Sequence, residues 1–297
     1  MLHIRRFRSG ALLAVLALGL LSAPACPEDV AAYRRSVEQW RAERLKLVTS
    51  DEGYLTYAAL IWLREGRNTF GSAPDNNAVL PSPMPPHGGY LDLYGDKITV
   101  HVNSGVPITM AGKPVETAEL QPDEMESRMF LGDLTFYVHH TGTRYALRLK
   151  DKNNKLRKEF TGQRWYPIDP AYRVRARFVP YPSEREVDVE TLLGDRDKLP
   201  MAGYVQFVFQ GKQYKLEAVQ GDNKELLMIF RDLTSKTTTY AVRFLPTDPV
   251  APDNTVVVDF NKAYNPPCAF NPYMTCPLPT PGNRLPVAIP AGEQRYH

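Results

Sequence analysis

The chain has 297 residues, of which 43% are hydrophobic, 10% aromatic and 23% charged, and its mean hydropathy is −0.36. This composition is typical of a globular protein and excludes a disordered chain or a protein with many membrane spans. The 36 Lys and Arg exceed the 33 Asp and Glu by three, and Arg5, Arg6 and Arg8 account for that excess. The remaining sequence is neutral, so it lacks the net basic charge typical of proteins that bind nucleic acid or anionic lipid.

Residues 1–25 have the pattern of a secretory signal peptide. A basic start is followed by the apolar run 11–21 and by Ala23-Pro24-Ala25, the small-residue pattern of a cleavage site. The run is shorter than the ~20 residues that a membrane-spanning helix needs. The sequence therefore predicts export to the periplasm or cell envelope. Cys26 follows the site as in bacterial lipoproteins, which makes it a lipidation candidate and the only expected route of membrane attachment.

Residues 28–48 are predicted to form one amphipathic helix at the N-terminus of the mature chain. Apolar side chains recur at helical spacing along this segment, and charged side chains occupy the other face. The apolar positions are Val30, Tyr33, Val37, Trp40 and Leu47. We expect this helix to pack across the end of the domain that follows.

From Tyr54 onward the hydrophobic period changes to two. Short runs of β-branched and aromatic residues, such as 97–102, 134–139 and 204–209, alternate with polar residues and end at turn residues. The pattern predicts an all-β fold, mainly antiparallel and resembling a sandwich or barrel. We expect a first β unit over 50–179 and a second over 201–297, because the polar, turn-rich segment 180–200 is typical of a linker or long loop.

The C-terminal segment 264–290 is rich in proline. Eight of the 26 prolines lie between Pro266 and Pro290, a density that excludes a helix or a central strand. Large apolar residues alternate with these prolines, whereas a solvated tail would have little to bury. The segment is therefore predicted to form an ordered, irregular cap over the sheets.

The cysteines and histidines leave several interpretations open. Cys268 and Cys276 would form a disulfide in an oxidising compartment, or they would be free thiolates acting as a nucleophile or a metal pair. A zinc site needs two more ligands, and none lies nearby in sequence, so we expect no metal. His139 and His140 are predicted to lie at an exposed hairpin end.

Several motifs resemble a prokaryotic family known as domain of unknown function 1684. The most specific block runs from Asp259 to Phe270, and it continues in Cys276-Pro277-Leu278-Pro279, Asn283-Arg284-Leu285 and Ala291-Gly292-Glu293. Segments 62–72, 160–167, 231–234 and 239–244 fit the same family. The resemblance implies no activity, but it indicates that the polar residues within these motifs are the place to look for a site.

The first half is also similar to a forkhead-associated β-sandwich. The likeness rests on the segments 65–72, 75–80, 87–88, 112–115 and 120–124. Members of that family bind phosphothreonine with an arginine after the glycine, whereas Ser72 follows Gly71 here. This departure removes the phosphate-binding charge, so the resemblance implies a shared fold without phosphopeptide binding.

A set of polar residues remains as candidates for chemistry. No motif for a serine hydrolase, a phosphate-binding loop or a dinucleotide site is present, and no cofactor is expected. The catalytic candidates are Asp259, Glu293 and Asp232, and the binding candidates are Arg243, Asn261, Asn265, Asn283, Arg164 and Tyr166.

Two interpretations of this set stay open. The residues form either a buried network that anchors the cap, with Asp259 accepting hydrogen bonds from Arg243, or a cleft between the cap and a sheet. The leading functional hypothesis is a binding or interaction module for a small molecule or an envelope protein. The alternative is a cofactor-free, hydrolase-like enzyme, and nucleic acid is not an expected partner.

Overall fold

The computed structural model describes residues 27–221 and 224–296. The predicted signal peptide of residues 1–25 and the lipidation candidate Cys26 lie outside the described residues. No helix in the described part of the chain has both the length and the apolar character needed to cross a membrane.

The chain begins with helix α1, Pro27–Thr49, which confirms the predicted N-terminal helix. Val37 and Val48 on one face are buried, whereas Arg34, Arg35 and Glu38 on the other face are exposed. This stripe of burial is what the 3.6-residue period produces when one helix face packs on a domain.

Eleven strands form a β-sandwich after α1. They are β1 Tyr57–Trp62, β2 Gly66–Gly71, β3 Ala78–Val79, β4 Gly89–Tyr94, β5 Lys97–Val102, β6 Thr109–Met110, β7 Lys113–Pro114, β8 Thr117–Leu120, β9 Met129–Leu131, β10 Leu134–Thr141 and β11 Arg144–Asp151. One sheet has the order β1-β11-β10-β9-β6-β7 and the other β3-β2-β4-β5-β8. Alternate side chains of both sheets enter one core, in which Phe70 and Phe136 lie with ring centroids 5.9 Å apart.

A third sheet forms the C-terminal half, after the short helix α2, Lys155–Lys158. Its strands are β12 Arg173–Glu190, β13 Arg196–Phe209, β14 Lys212–Gln220, β15 Leu226–Phe230, β16 Arg243–Pro246 and β17 Thr255–Asp259. The order is β16-β15-β14-β13-β12-β17, and each neighbouring pair is antiparallel. The predicted antiparallel all-β class is thus confirmed. The buried Phe260 ring contacts Phe207, Phe209 and Phe230 in a second core.

The prediction of a linker or long loop over 180–200 is wrong. Strands β12 and β13 continue through this segment as a hairpin, with Glu186 opposite Pro200 and Glu190 opposite Arg196. The ladder is irregular between Pro180 and Arg185, where the prolines that cannot donate a hydrogen bond are accommodated.

The segment 264–290 forms short turns that wrap over the third sheet. Two of these are single-turn helices at Pro267–Ala269 and Pro281–Asn283. Leu285 and Ile289 enter the core of the third sheet, and Phe270 packs with Val48 of α1. The cap therefore joins the helix to the C-terminal sheet.

Candidate functional site

The predicted polar residues do not line one cleft. Asp259, Asp232, Glu293 and Asn283 are all buried, and each belongs to a different hydrogen-bond network. The interpretation of the whole set as a cleft between the cap and a sheet is therefore wrong. The reason is that cap residues enter the sheet at several separate points.

Asp232 and Arg243 form a buried ion pair. Arg243 Nη2 lies 3.1 Å from Asp232 Oδ2, and both side chains are 0% exposed. The guanidinium also donates to the carbonyl oxygens of Ala291 and Ile289. Burial lowers the pKa of Arg243, and Asp232 opposes that effect. The expected acceptor for Arg243 was Asp259, so that pairing is wrong, and the observed pair anchors the last part of the cap.

Asp259 and Asn261 bind helix α1. The Tyr33 hydroxyl donates to both carboxylate oxygens of Asp259, at 2.9 and 3.0 Å, and the Asn261 amide donates to that hydroxyl at 2.8 Å. Burial, followed by the charge of Asp259, raises the pKa of Tyr33, so the phenol stays a donor. A cavity of about 80 Å³ adjoins this network and is lined by Arg173 and Lys262 as well.

Glu293 lies under α1 with 1% of its surface exposed. Its carboxylate accepts from the Asn265 backbone N–H at 2.8 Å and from Gln163 Nε2 at 3.1 Å. Burial raises its pKa to about 7, although these hydrogen bonds and Arg44 oppose that shift. Asn265 Nδ2 donates to the Gln294 carbonyl, so this network holds residues 293–294 against the cap.

The Asn283 side chain connects two strands of the third sheet through hydrogen bonds to their backbone. Its side chain donates to the carbonyl oxygens of Glu217 and Ile229 and accepts from the Glu217 N–H at 2.7 Å. These bonds satisfy backbone groups of β14 and β15 and use both N–H donors of the amide, and the residue is only 1% exposed, so it is not placed to bind a ligand.

The two cysteines lie side by side in the cap. The Cys268 backbone N–H donates to Cys276 Sγ at 3.3 Å, and both residues are free thiols in the structure. The hydrogen bond between the two thiols, together with burial, raises the pKa of Cys268. The disulfide stays a prediction, and a thiolate nucleophile is disfavoured here because the thiol holds its proton.

The prediction that His139 lies at an exposed hairpin end is wrong, because its side chain is largely covered by neighbouring residues. Its Nδ1 lies 2.7 Å from Asp123 Oδ1, its Nε2 lies 3.3 Å from Thr275 Oγ1, and its side chain is 13% exposed. Burial alone would raise the pKa of Asp123. The hydrogen bonds from His139 and from the His140 N–H outweigh burial, so the pKa of Asp123 is lowered. These contacts join the sandwich to the cap, whereas His140 is exposed as expected.

Arg164 and Tyr166 line a groove of about 600 Å³. The other lining residues are Thr237, Thr238, Gln294 and Arg295. Three chain segments form its walls, because the Gln294 N–H donates to the Arg164 carbonyl and the Arg295 N–H donates to the Thr238 carbonyl. Backbone hydrogen bonds therefore join the segments that carry the lining side chains.

The two guanidinium groups of this groove are held in place but are not neutralised. Arg164 Nη2 donates to the Arg295 carbonyl at 2.7 Å, and Arg295 Nη1 donates to the Lys236 carbonyl at 3.3 Å. Neither arginine pairs with an acidic side chain in the described part of the chain, and no carboxylate lines the groove. Sequence reasoning identified Arg164 and Tyr166 but missed Arg295, Thr237 and Thr238, which no motif marks as functional.

Within residues 27–221 and 224–296, no group of three or more His, Cys, Asp or Glu side chains is placed to hold a metal ion. The arginine groove, defined by Arg164, Tyr166, Thr237, Thr238, Gln294 and Arg295, offers guanidinium, hydroxyl, amide and aromatic groups instead. This set is suited to binding an acidic ligand rather than to moving protons.

Comparison with known proteins agrees with the resemblance found in the sequence. Residues 158–294 match the model of a family described as protein of unknown function (DUF1684). The chain is also similar to an uncharacterized protein from Haloarcula marismortui solved by solution NMR. Their identity is 30%, the match covers 46% of this chain and 78% of that chain, and the TM-score is 0.40. No curated protein matches the chain. Through residues 158–294, the chain belongs to the DUF1684 family of proteins of unknown function.

Proposed function

We propose that this protein is an exported binding module whose ligand carries a carboxylate or sulfate group, and that the arginine groove is its binding site. The observation that carries the proposal is the pair of positioned, unneutralised guanidinium groups of Arg164 and Arg295. A planar guanidinium donates two parallel hydrogen bonds to a carboxylate or sulfate, which adds orientation to charge attraction.

The other lining groups fit an acidic ligand that also carries hydroxyl groups. Thr237, Thr238 and Gln294 supply neutral donors and acceptors, and the half-buried Tyr166 ring supplies an apolar face. Because Arg164 and Arg295 are each already held by a carbonyl oxygen, part of their side-chain entropy is lost before a ligand binds. An acidic sugar has this combination of charge, hydroxyl groups and apolar face.

We favour a binding module over the alternative, a hydrolase that uses the carboxylate set. Asp259 and Asp232 are buried and accept hydrogen bonds from several partners, so neither is placed to act on a ligand from solvent. Glu293 is likewise enclosed beneath α1. Their contacts connect the helix, the cap and the third sheet, which is a structural role.

The N-terminal pattern supports the exported location. Residues 1–25 have a basic start, a short apolar run and a small-residue cleavage pattern, and Cys26 follows directly. The proposed compartment is the periplasm or cell envelope, where Cys268 and Cys276 would join as a disulfide that closes the cap.

Calorimetric titration with galacturonate at low ionic strength tests the binding site, with galactose as the neutral probe. We expect galacturonate to bind and galactose to bind much more weakly. Each of Arg164→Gln and Arg295→Gln should weaken galacturonate binding about tenfold to a hundredfold, because a hydrogen bond to a charged group contributes roughly 1.5–3 kcal/mol. Arg177→Gln, at an exposed position on β12 outside the groove, is the matched control and should have no effect.

Equal weakening by all three variants would contradict the proposal, because it would indicate general charge attraction. Binding of galacturonate that is unchanged in both groove variants would also contradict it. Thermal unfolding of each variant verifies that the fold is retained.

A further inference from the structure

A second groove adjoins the arginine groove. It has a volume of about 470 Å³, and its lining residues are Arg231, Asp232, Leu233, Ser235, Lys236, Ala241, Arg284, Leu285 and Pro286. Its three cationic side chains come from the end of β15, the turn after it and the cap. None of these three pairs with an acid among the residues that the structure describes.

Among the described residues that line this second groove, Asp232 is the one acid, and Arg243 already neutralises it. Asp232 pairs with Arg243 and also accepts from the Ile289 N–H at 2.6 Å and from Thr234 Oγ1 at 2.8 Å. Because its side chain is 0% exposed, it does not offset the charges of Arg231, Lys236 and Arg284. The second groove is therefore electropositive, like the first.

The turn 232–239 forms a ridge between the two grooves. Ser235 and Lys236 line one side of it, and Thr237 and Thr238 line the other. Thr234 holds the turn together, since its carbonyl accepts from the N–H groups of residues 237–239. Lys236 has a φ of +67°, a left-handed conformation that these hydrogen bonds maintain. The backbone of the ridge between the two sets of cations is therefore held in one conformation.

We propose that the ligand is an acidic polysaccharide whose chain crosses this ridge and places acidic groups in both grooves. This inference rests on the proposed function and names the class of ligand. Five cationic side chains, Arg164, Arg295, Lys236, Arg231 and Arg284, follow the two adjoining grooves. Two linked sites bind a polymer more tightly than a monomer, because the second contact is intramolecular.

The lining residues favour a polysaccharide over a nucleic acid. Single-stranded nucleic acid is bound by stacking its bases on a series of aromatic rings, and Tyr166 is the one aromatic side chain that lines these grooves in the described structure. The Ser235 and Thr237 hydroxyls donate to Asp232 and to the Thr234 carbonyl, so their oxygens are acceptors for sugar hydroxyl groups, and Thr238 adds a third hydroxyl. Leu233, which is 66% exposed, provides an apolar surface for the faces of sugar rings.

The experiment compares polygalacturonate with monomeric galacturonate on the full mature chain. The unmodified protein should bind the polymer at least tenfold more tightly than the monomer. Arg231→Gln combined with Arg284→Gln should weaken polymer binding at least tenfold and leave intact the part of galacturonate binding that is lost in Arg164→Gln and Arg295→Gln. Arg175→Gln combined with Arg177→Gln, at exposed positions of β12, is the matched control and should change neither. Dextran sulfate, tested in parallel, distinguishes sulfate from carboxylate as the acidic group.

The two proposals fail in different ways. If galacturonate binding depends on Arg164 and Arg295 but the double variant Arg231→Gln, Arg284→Gln binds polymer normally, the two-groove inference is overturned and the binding module stands. If single-stranded DNA binds more tightly than both acidic polysaccharides, the polysaccharide assignment is overturned. If galacturonate binding is insensitive to Arg164 and Arg295, the proposed function itself fails.

Discussion

Glu293 connects the stability of the cap to pH. The carboxyl lies beneath α1 with 1% exposure, and burial raises its pKa from an ordinary value of 4.5 to about 7. The folded state therefore holds this proton more tightly than the unfolded state. The substitution Glu293→Gln keeps the size of the side chain and removes its titration.

The magnitude follows from the two pKa values. Each tenfold change in proton affinity corresponds to 1.36 kcal/mol, so the rise from 4.5 to about 7 corresponds to roughly 3 kcal/mol. Because the folded pKa is raised, this stabilisation is full below about pH 4.5 and is lost as pH rises through about 7. In Glu293→Gln the free energy of unfolding should not fall over this pH range for this reason, because glutamine does not titrate. Relative to the unmodified protein, the variant should gain roughly 3 kcal/mol between about pH 4.5 and about pH 8.

Urea unfolding at several pH values, followed by tryptophan fluorescence, measures this difference. Trp40 and Trp165 report on the same region, because their rings meet at 5.9 Å between α1 and the segment that pairs with Glu293. Glu186→Gln, at an exposed position on β12, is the matched control and should show no such trend. A difference between Glu293→Gln and the unmodified protein that stays constant across this pH range would refute the reasoning.

Three further predictions concern the buried ion pair, the removal of the signal peptide and the two cap cysteines. Asp232→Asn should destabilise the protein by about 3–5 kcal/mol in the same urea assay, since it leaves a buried guanidinium unpaired. Glu119→Gln, in the exposed pair with Lys97, should change stability by about 1 kcal/mol or less, and equal effects would contradict the assigned roles. Intact-mass measurement of exported protein should show a chain that begins at Cys26, and alkylation without reductant should leave Cys268 and Cys276 unmodified. A retained N-terminus or two alkylated cap thiols would contradict these expectations.

Much of the architecture could be predicted because it depends on local periodicity. Helix α1 and strands such as β5 and β10 follow directly from hydrophobic periods of 3.6 and two. The hairpin through 180–200 could not be predicted, because its prolines are typical of loops, and the irregularity that accommodates them arises from pairing with β13. Which strands pair is decided by tertiary contacts that local patterns do not contain.

The partners of the polar residues could be predicted only in part. Burial in a network was one of two interpretations of the set, but Arg243 pairs with Asp232 rather than Asp259 because the cap brings Ile289 and Ala291 beside β16. The arginine groove combines segments more than fifty residues apart in the chain, and exposed threonines and arginines carry no distinguishing pattern. Arg164 was identified because it lies in a family-like motif, whereas Arg295 lies outside each of them.

The most direct test of the binding site is a crystal structure of the mature protein with a short oligogalacturonate. We predict that a carboxylate of the oligomer lies within hydrogen-bond distance of the guanidinium groups of Arg164 and Arg295, with a sugar ring against Tyr166. An ordered oligomer bound elsewhere, such as beside Asp259 and Arg173, with the arginine groove empty, would contradict the assignment.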